Sequence, residues 1–277
     1  METWRLIPFQ KLNCYENMAV DEAVLRAGRE NGNIPAVRFY GWSRPSVTIG
    51  CFQKISEEVN IPYCREHGID IVRRPTGGRA VYHDIDVTYS VVARESDKGF
   101  SPQIIDTYRV ISNCLLRGLK KVGIEAKLVE QGRNLQQASG KAFCFSASFK
   151  NELLVKGCKV CGSAQMRAHG LFLQHGSILL DLNQQKAARI MVESETVLES
   201  IQQSVTDINS HTEHPVSVAA LVDALAEGFE ETMGIRFRES EISVSEADLK
   251  KLLLEKKYLT EKWNIEGKHE FQKSCPA

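Results

Sequence analysis

One stretch of the sequence, residues 73–84, reads Arg73-Arg74-Pro75-Thr76-Gly77-Gly78-Arg79-Ala80-Val81-Tyr82-His83-Asp84. It begins where a predicted strand, residues 69–73, ends. The glycine pair permits positive φ angles and close approach of the backbone to a ligand, and the arginines supply cationic groups for phosphate or carboxylate. The spacing GxxxxGK(S/T) is missing, which excludes a phosphate-binding P-loop. A hairpin with a solvated basic face is the alternative interpretation.

A second stretch places a cysteine, Cys144, fifteen residues before a lysine, Lys159. If residues 140–146 and 151–165 form neighbouring strands, the chain can fold back and bring the thiol and the ammonium together. An adjacent cation lowers the pKa of a thiol from about 8.5 and makes it a nucleophile. A buried, unreactive cysteine and a solvated lysine are the alternative for each residue alone.

The remaining pattern predicts an α/β (α+β) fold with a mixed β-sheet. Strands are predicted at residues 37–40, 46–49, 69–73, 86–92, 125–129, 151–155, 159–165 and 176–181. Helices are predicted at residues 17–29, 104–122, 216–233 and 245–256, the last with Ser245 and Asp248 as a capping pair. We expect one domain over residues 1–277, with a catalytic core at about 32–240 and a helical C-terminal region at about 204–277.

Composition narrows the class of protein. Lysine plus arginine equals aspartate plus glutamate, at 35 each, which argues against a dedicated nucleic-acid binder. No stretch approaches the eighteen or so apolar residues of a membrane-spanning helix, and the N-terminal residues lack the features of a signal peptide. We therefore expect a soluble, cytoplasmic protein that binds neither nucleic acid nor membrane, and we expect a monomer.

The eight cysteines are scattered, so we expect them to be reduced. Cys158 and Cys161 form a CxxC, but residues three apart on a strand face opposite sides, which disfavours metal or redox use. His169 and His175 flank a predicted hairpin without a third ligand at a supporting spacing. Contacts within the loop or with substrate are the better interpretation of these histidines, and no metal site is expected.

Together these residues resemble the biotin/lipoate protein ligase superfamily, and most closely the cysteine-dependent octanoyltransferases of lipoate assembly found in Gram-positive bacteria. The resemblance spans nearly the whole chain and is carried by residues 4–25, 38–42, 73–84, 87–90, 157–165 and 173–180. It implies a mixed β-sheet core of the biotin/lipoate ligase type flanked by helices. Residues 73–84 and the Lys159 strand would then wall a tunnel for an acyl chain.

The resemblance also implies roles for individual residues. Cys144 would be the acyl-thioester nucleophile, and Lys159 would lower the pKa of Cys144 and relay protons. The implied substrate-binding residues lie in the two stretches described above: Arg74, Gly77, Gly78, Arg79, His83, Gly162, Ser163 and Ala164. No cofactor is implied. After Cys144 the chain reads Phe145-Ser146-Ala147-Ser148-Phe149, which differs from the Asp-Ala-Pro-Ser-Trp-like run of the family.

The implied reaction moves an octanoyl group from octanoyl-acyl carrier protein, through a thioester on Cys144, to the ε-amine of a lysine. That lysine belongs to a lipoyl-accepting protein, such as the glycine-cleavage H protein or a dehydrogenase lipoyl domain. Converting a thioester into an amide runs downhill without a nucleotide. Three alternatives stay open: an ATP-dependent lipoate-protein ligase, an octanoyl amidotransferase acting between lipoyl-accepting proteins, and a non-catalytic acyl-binding protein.

Overall fold

The computed structural model describes residues 1–29, 34–129, 152–192 and 194–267, so the predicted nucleophile Cys144 lies outside the described residues. The strands in these ranges are β1 (Glu2–Leu12), β2 (Ala36–Trp42), β3 (Ser46–Ile49), β4 (Asp70–Arg73), β5 (Val81–His83), β6 (Ile85–Arg94), β7 (Ala126–Val129), β8 (Glu152–Val155), β9 (Cys158–Ala168), β10 (Leu171–Asp181) and β11 (Ile235–Glu239). The α-helices are α1 (Cys14–Ala27), α2 (Ile55–Glu58), α3 (Ile61–Glu66), α4 (Ile104–Lys121), α5 (Gln184–Arg189), α6 (Ser194–Ser204), α7 (Val218–Met233), α8 (Val244–Leu253) and α9 (Glu261–Asn264). A 3-10 turn at Asn209–His211 and a π-helical turn at Leu254–Tyr258 complete the set.

The described strands form two sheets. The larger has the order β11-β1-β2-β6-β10-β9-β8-β7, and the smaller has the order β4-β3-β5. In the larger sheet β1 runs parallel to both β2 and β11, whereas the pairs from β2 to β7 are antiparallel. In the smaller sheet β3 is parallel to β4 and antiparallel to β5. The mixed α/β fold predicted from the sequence is therefore confirmed.

Helices cover both faces of the larger sheet. Helices α4 and α7 pack on one face, where their apolar side chains join Val37 and Phe39 of β2 in one core. Helix α1 covers the other face, where Val20 and Val24 pack against Ala36 of β2 and neighbouring strands. Because both faces are covered, β2 is buried along its whole length. No helix in the described ranges is long and apolar enough to cross a membrane.

The predicted strands and the four long predicted helices are present, with ends displaced by a few residues. The sequence did not predict β1, β5 or β11, and β11 places a strand inside the predicted helical C-terminal region. The predicted cap at Ser245 and Asp248 is wrong: the N-cap of α8 is Ser243, two residues earlier, which forms a capping box with Glu246. Glu246 also forms an ion pair with Arg5 of β1, and this contact favours Ser243 rather than Ser245 as the first residue of the cap. The division into a core and a helical region stays a prediction.

The C-terminal helices are tied to β4 through Arg73, which is buried. The Arg73 guanidinium donates to the carbonyls of Trp263 at 2.9 Å and Gly50 at 3.0 Å, and the Trp263 indole donates to the Arg73 carbonyl at 2.7 Å. The Asn264 amide accepts the Arg73 N–H at 3.0 Å and donates to the Tyr258 carbonyl at 2.6 Å. The end of the described chain is thereby fixed to the strand that leads into the Gly77-Gly78 turn.

Replacing Asn264 by alanine should destabilise the protein. Asn264→Ala leaves the buried Arg73 N–H and the Tyr258 carbonyl without their partners, and each lost partner costs about 1–3 kcal/mol. We expect the free energy of unfolding in urea to fall by about 2 kcal/mol or more. Gln185→Ala, at an exposed helical position, is the control and should change it by less than about 0.5 kcal/mol. Equal unfolding midpoints for Asn264→Ala and the wild type would contradict this role.

Candidate active site

A cavity lies between the larger and the smaller sheet and opens to solvent. Its volume is ≈ 460 Å³, including the solvent-filled space at its opening. Its exposed wall is mostly apolar. The lining residues come from α1, β2, β3, β5, β6, β9, β10 and the β4–β5 connection: Met18, Tyr40, Trp42, Thr48, Arg74, Gly78, Val81, His83, Thr88, Gly162, Ser163, Ala164, His175, Gly176 and Ser177. A mostly apolar wall with a few polar groups suits an acyl chain that carries one reactive carbonyl.

One side of the cavity is the glycine loop, residues 74–80, which connects β4 to β5. Gly78 adopts a φ of 90°, a conformation that favours glycine. The loop also packs closely against Gly50, where an added Cβ would lie 2.0 Å from the Gly78 carbonyl oxygen. The sequence predicted a ligand-approaching turn here, and the loop does border the cavity. The hairpin alternative is not what the chain forms, because β3 lies between β4 and β5 in the sheet.

The opposite side is the β9–β10 pair, where Gly162, Ser163 and Ala164 lie across from residues 175–177. An added Cβ at Gly176 would lie 2.6 Å from the Gly162 carbonyl oxygen, so this position keeps the two strands close. The Ser163 hydroxyl is 2.7 Å from the Tyr89 hydroxyl. Three of the predicted substrate-binding residues thus lie on the cavity wall, and Ala164 approaches the glycine loop at Gly78.

Beneath the cavity lies a buried carboxylate, Asp21 of α1. It accepts hydrogen bonds from Arg38 at 3.0 Å, Tyr40 at 2.9 Å, Ser90 at 2.9 Å and His175 Nδ1 at 3.1 Å. Burial alone would raise the pKa of Asp21, but the hydrogen bond from His175 and the charge of Arg38 outweigh it and hold this pKa below its usual value. Asp21 is therefore an anion that fixes His175 in the cavity wall.

A second buried carboxylate, Asp86 of β6, holds His83. Its Oδ2 accepts from His83 Nδ1 at 2.9 Å, from Thr88 at 3.0 Å and from Ser177 at 2.6 Å. Burial pushes the pKa of Asp86 upward, but His83 and the two hydroxyls keep the net shift downward. The His83 ring stacks on Trp42 with centroids 3.9 Å apart. His83 thus borders the cavity while both of its ring nitrogens are engaged, Nε2 with Thr48 at 3.0 Å.

Lys159, the predicted partner of the nucleophile, is buried on β9 and forms an ion pair with Glu152 of β8. The strand pairing shifts register here, because Leu154 faces Lys159 whereas Leu153 faces Cys161. Such a bulge re-aims a side chain, and bulges are common beside active sites. Burial raises the pKa of Glu152 to about 7, although the Lys159 ammonium opposes that shift. The Glu152 carboxyl can therefore hold or release a proton near neutral pH.

Two neighbouring cysteines differ in environment. Burial raises the pKa of the Cys161 thiol to about 12, despite the charge of Lys159, so this thiol stays neutral. The Cys158 Sγ lies 3.7 Å from the Gln203 carbonyl oxygen, and both cysteines are free.

The described ranges contain no cluster of three or more His, Cys, Asp or Glu side chains that could hold a metal ion. His169 lies in the β9–β10 turn with a φ of 55°, whereas His175 is buried in the cavity wall.

The described residues bring most of the predicted site together. Arg74, Gly78, His83, Gly162, Ser163 and Ala164 line one cavity, whereas Cys144 lies outside the described residues. The sequence did not predict Asp21, Asp86 or Glu152 as site residues, and it treated His175 only as a loop or substrate contact. Asp21 and His175 are 154 residues apart, and Asp86 and Ser177 are 91 residues apart, so only the pairing of the strands reveals these contacts. Glu152 meets Lys159 through the pairing of β8 with β9.

The chain belongs to the lipoyl protein ligase A/B catalytic-domain family, whose model matches residues 13–230. Its relatives include octanoyltransferases named LipM. The one from Carboxydothermus hydrogenoformans is 39% identical over 268 residues and covers 95% of this chain and 98% of its own. The one from Bacillus subtilis is 38% identical over 272 residues, with the same coverage of both chains. The resemblance to the octanoyltransferases of lipoate assembly is therefore confirmed, and the chain is a transferase of that group.

Solved structures show the same fold. A bipartite lipoate protein ligase from Thermoplasma acidophilum has a TM-score of 0.83 and 28% identity, over 98% of this chain and 100% of that one. A lipoate-protein ligase A bound with ATP has a TM-score of 0.80 and 30% identity, over 96% of this chain and 99% of that one. These similarities confirm the fold of the lipoate ligase type.

The raised pKa of Glu152 predicts a pH-dependent stability. The folded protein holds this proton more tightly than the unfolded chain, whose carboxyl has its ordinary value of 4.5. The stabilisation is complete below that value and is lost as the pH rises through about 7. Since one pKa unit corresponds to about 1.4 kcal/mol and the shift is from 4.5 to about 7, the loss is at most about 3.5 kcal/mol.

We expect the free energy of unfolding of the wild type to fall, relative to Glu152→Gln, between about pH 5 and about pH 8. Urea unfolding across that range measures it. Glu125→Gln, at an exposed position, is the control and should follow the wild type. Parallel pH curves for the wild type and Glu152→Gln would show that the Glu152 carboxyl has an ordinary affinity for its proton.

Proposed function

We propose that this enzyme transfers an octanoyl group from octanoyl-acyl carrier protein to a lysine ε-amine of a lipoyl-accepting protein, through a thioester on Cys144. The observation that carries the proposal is the mostly apolar cavity between the glycine loop and the β9–β10 pair, in a chain whose relatives are octanoyltransferases. Arg74, Gly77, Gly78, Arg79 and His83 would form the substrate-binding side of the loop. Gly162, Ser163 and Ala164 would form the facing side.

The first half-reaction makes an acyl-enzyme. The Cys144 thiolate attacks the thioester carbonyl, a carbon–sulfur bond forms, and the oxyanion is held by backbone N–H groups of Gly77-Gly78 or of the Gly162 region. Collapse breaks the bond to the carrier, whose thiolate leaves and takes up a proton. Lys159 lowers the pKa of Cys144 in this step. The high pKa of Cys161 disfavours that thiol as the nucleophile, although it lies two residues from Lys159.

The second half-reaction makes the amide. The acceptor lysine attacks the acyl-enzyme as a neutral amine, loses a proton, and expels the Cys144 thiolate, which restores the enzyme. Lys159 and its partner Glu152 would relay that proton, and the ion pair between them together with the raised pKa of Glu152, about 7, supports this role. No nucleotide is consumed. We place the reaction in the cytoplasm, with a monomeric enzyme and either a glycine-cleavage H protein or a dehydrogenase lipoyl domain as acceptor.

The thioester is tested by intact mass after incubation with octanoyl-acyl carrier protein without ATP. We expect one octanoyl adduct on the wild type that hydroxylamine removes, and none on Cys144→Ser. Cys158→Ser, which alters a partly exposed cysteine on the Lys159 strand, is the control and should carry the adduct. Acylation of a lipoyl domain only when ATP and free lipoate are supplied would instead identify a lipoate-protein ligase, in which Cys144 is structural.

The role of Lys159 is tested by the pH dependence of acylation. Without the neighbouring ammonium the Cys144 pKa should return toward about 8.5, which leaves only a few per cent thiolate at pH 7. We expect Lys159→Met to acylate about tenfold more slowly or worse at pH 7, and to recover as the pH approaches about 9. Lys156→Met, at the exposed β8–β9 turn, is the control. A Lys159→Met variant with the wild-type pH profile would remove Lys159 from this role.

A further inference from the structure

Two chains of hydrogen bonds beneath the cavity have the same composition. One runs from Asp21 to His175 and then to Thr76, whose hydroxyl lies 2.7 Å from His175 Nε2. The other runs from Asp86 to His83 and then to Thr48, whose hydroxyl lies 3.0 Å from His83 Nε2. We call these the two Asp–His–Thr relays. They start from different elements, α1 and β6, and they use histidines from β10 and β5.

Both relays end on the same guanidinium. Arg74 Nε lies 3.2 Å from the Thr76 hydroxyl, and Arg74 Nη1 lies 3.3 Å from the Thr48 hydroxyl. The same guanidinium donates to the carbonyls of Gly77 at 2.7 Å and Arg79 at 2.8 Å. The Arg74 guanidinium therefore connects the hydroxyls of Thr76 and Thr48 to two carbonyls of the glycine loop. The loop encloses it closely, since a Cβ at Gly78 would lie 2.7 Å from Arg74 Nη2.

The direction of each hydrogen bond follows from the two carboxylates. A carboxylate only accepts, so each histidine donates from Nδ1 and leaves Nε2 as an acceptor. Each threonine then donates its hydroxyl proton to Nε2 and accepts from Arg74, which can only donate. Burial and the Arg74 charge lower the pKa of His175, in agreement with a neutral ring. Every donor in both relays consequently points away from Arg74 and toward a carboxylate.

We propose that the two Asp–His–Thr relays hold Arg74 in place, and that Arg74 thereby sets the shape of the glycine loop, which makes Thr48, Thr76 and His175 positioning residues. The proposal deepens the proposed function, because the loop supplies backbone groups to the reacting thioester. It also gives Arg74 a role that does not require contact with substrate. Charge, hydrogen bonds and burial all favour this arrangement over a mobile arginine.

The Asp21–His175–Thr76 relay has the residue types of a nucleophilic triad, but its surroundings oppose that role. Thr76 is fully buried at 0% exposure, and its hydroxyl receives an N–H from Arg74 while it donates to His175. A hydroxyl with both functions engaged and no exposed surface is not available to attack a thioester. The second relay, with the same geometry at Thr48, further indicates a positioning role for both.

The test compares hydroxyl removal with hydroxyl retention. Thr48→Val and Thr76→Val remove a hydroxyl from a side chain of almost the same shape, whereas Thr48→Ser and Thr76→Ser retain it. Thr107→Val is the matched control, because Thr107 is a buried threonine on α4 whose hydroxyl accepts from Arg167 at 3.0 Å. Two quantities are measured: the single-turnover rate of octanoyl-enzyme formation, and hydrogen exchange of the peptide containing residues 74–80.

Each valine variant should form the octanoyl-enzyme roughly tenfold to a hundredfold more slowly and should exchange faster in residues 74–80. Each serine variant should stay within about threefold of the wild type, and Thr107→Val should match it. The double valine variant should lose less rate than the product of the single losses, since both hydroxyls act through Arg74. Arg74→Lys, which cannot span the same four acceptors, should exchange as fast as the double variant.

Unchanged exchange in residues 74–80 of the valine variants and of Arg74→Lys would overturn the proposal. Slow acylation that the serine variants fail to restore would overturn it as well. If a valine variant does not fold, Arg74→Lys and the serine pair decide the question. If the wild type forms no octanoyl adduct, the proposed function fails, but the exchange comparison still decides whether the relays hold the loop.

Discussion

A buried carboxylate must receive hydrogen bonds from its own protein, and Asp21 receives four of them. The donors are Arg38 and Tyr40 of β2, Ser90 of β6 and His175 of β10. One helix is thereby fixed to three adjacent strands of the larger sheet at a single point. Because the loss of any donor leaves the anion partly unsatisfied, the register of these strands and the position of α1 are determined together.

The same constraint explains how a mostly apolar cavity can lie directly above ionised groups. The carboxylates of Asp21 and Asp86 accept hydrogen bonds from side chains of the surrounding strands, and the two histidines that they bind, His175 and His83, line the cavity. The apolar part of the cavity wall includes Trp42, Val81 and Met18. The apolar wall of the cavity is thus distinct from the hydrogen-bonded groups that fix its geometry.

The sequence predicted the elements of the site better than the connections between them. Gly78 and the β9 residues Gly162, Ser163 and Ala164, which line the cavity, were predicted because each lies in a short stretch with a distinctive pattern. The role of Lys159 stays a prediction. Asp21 was not predicted, since one carboxylate in a predicted amphipathic helix normally faces solvent. Only the pairing of β2, β6 and β10 reveals that its neighbours are donors. Glu152 required the register of β8 against β9, and that register contains a bulge that no local pattern indicates.

The missed strands have a similar cause. β1 shows no regular alternation of buried and exposed residues, and β11 is mostly exposed at the sheet edge. β1 is a strand because it pairs with β2 and β11, and β11 is a strand because it pairs with β1. Local patterns are weak where tertiary pairing, with partners more than two hundred residues apart in the sequence, supplies the order.

The attachment of Arg73 to the C-terminal helices has a consequence for folding. Its partner Trp263 lies 190 residues later in the chain. While the polypeptide is being synthesised, β4 and the turn that follows it emerge long before α9 exists. The Gly50 carbonyl can then accept from Arg73 Nη1, but the Trp263 carbonyl that accepts from Arg73 Nε has not yet been made. The attachment of β4, which leads into the glycine loop, therefore becomes complete only when the last helices dock, and contacts of such long range are characteristic of slow, late folding steps.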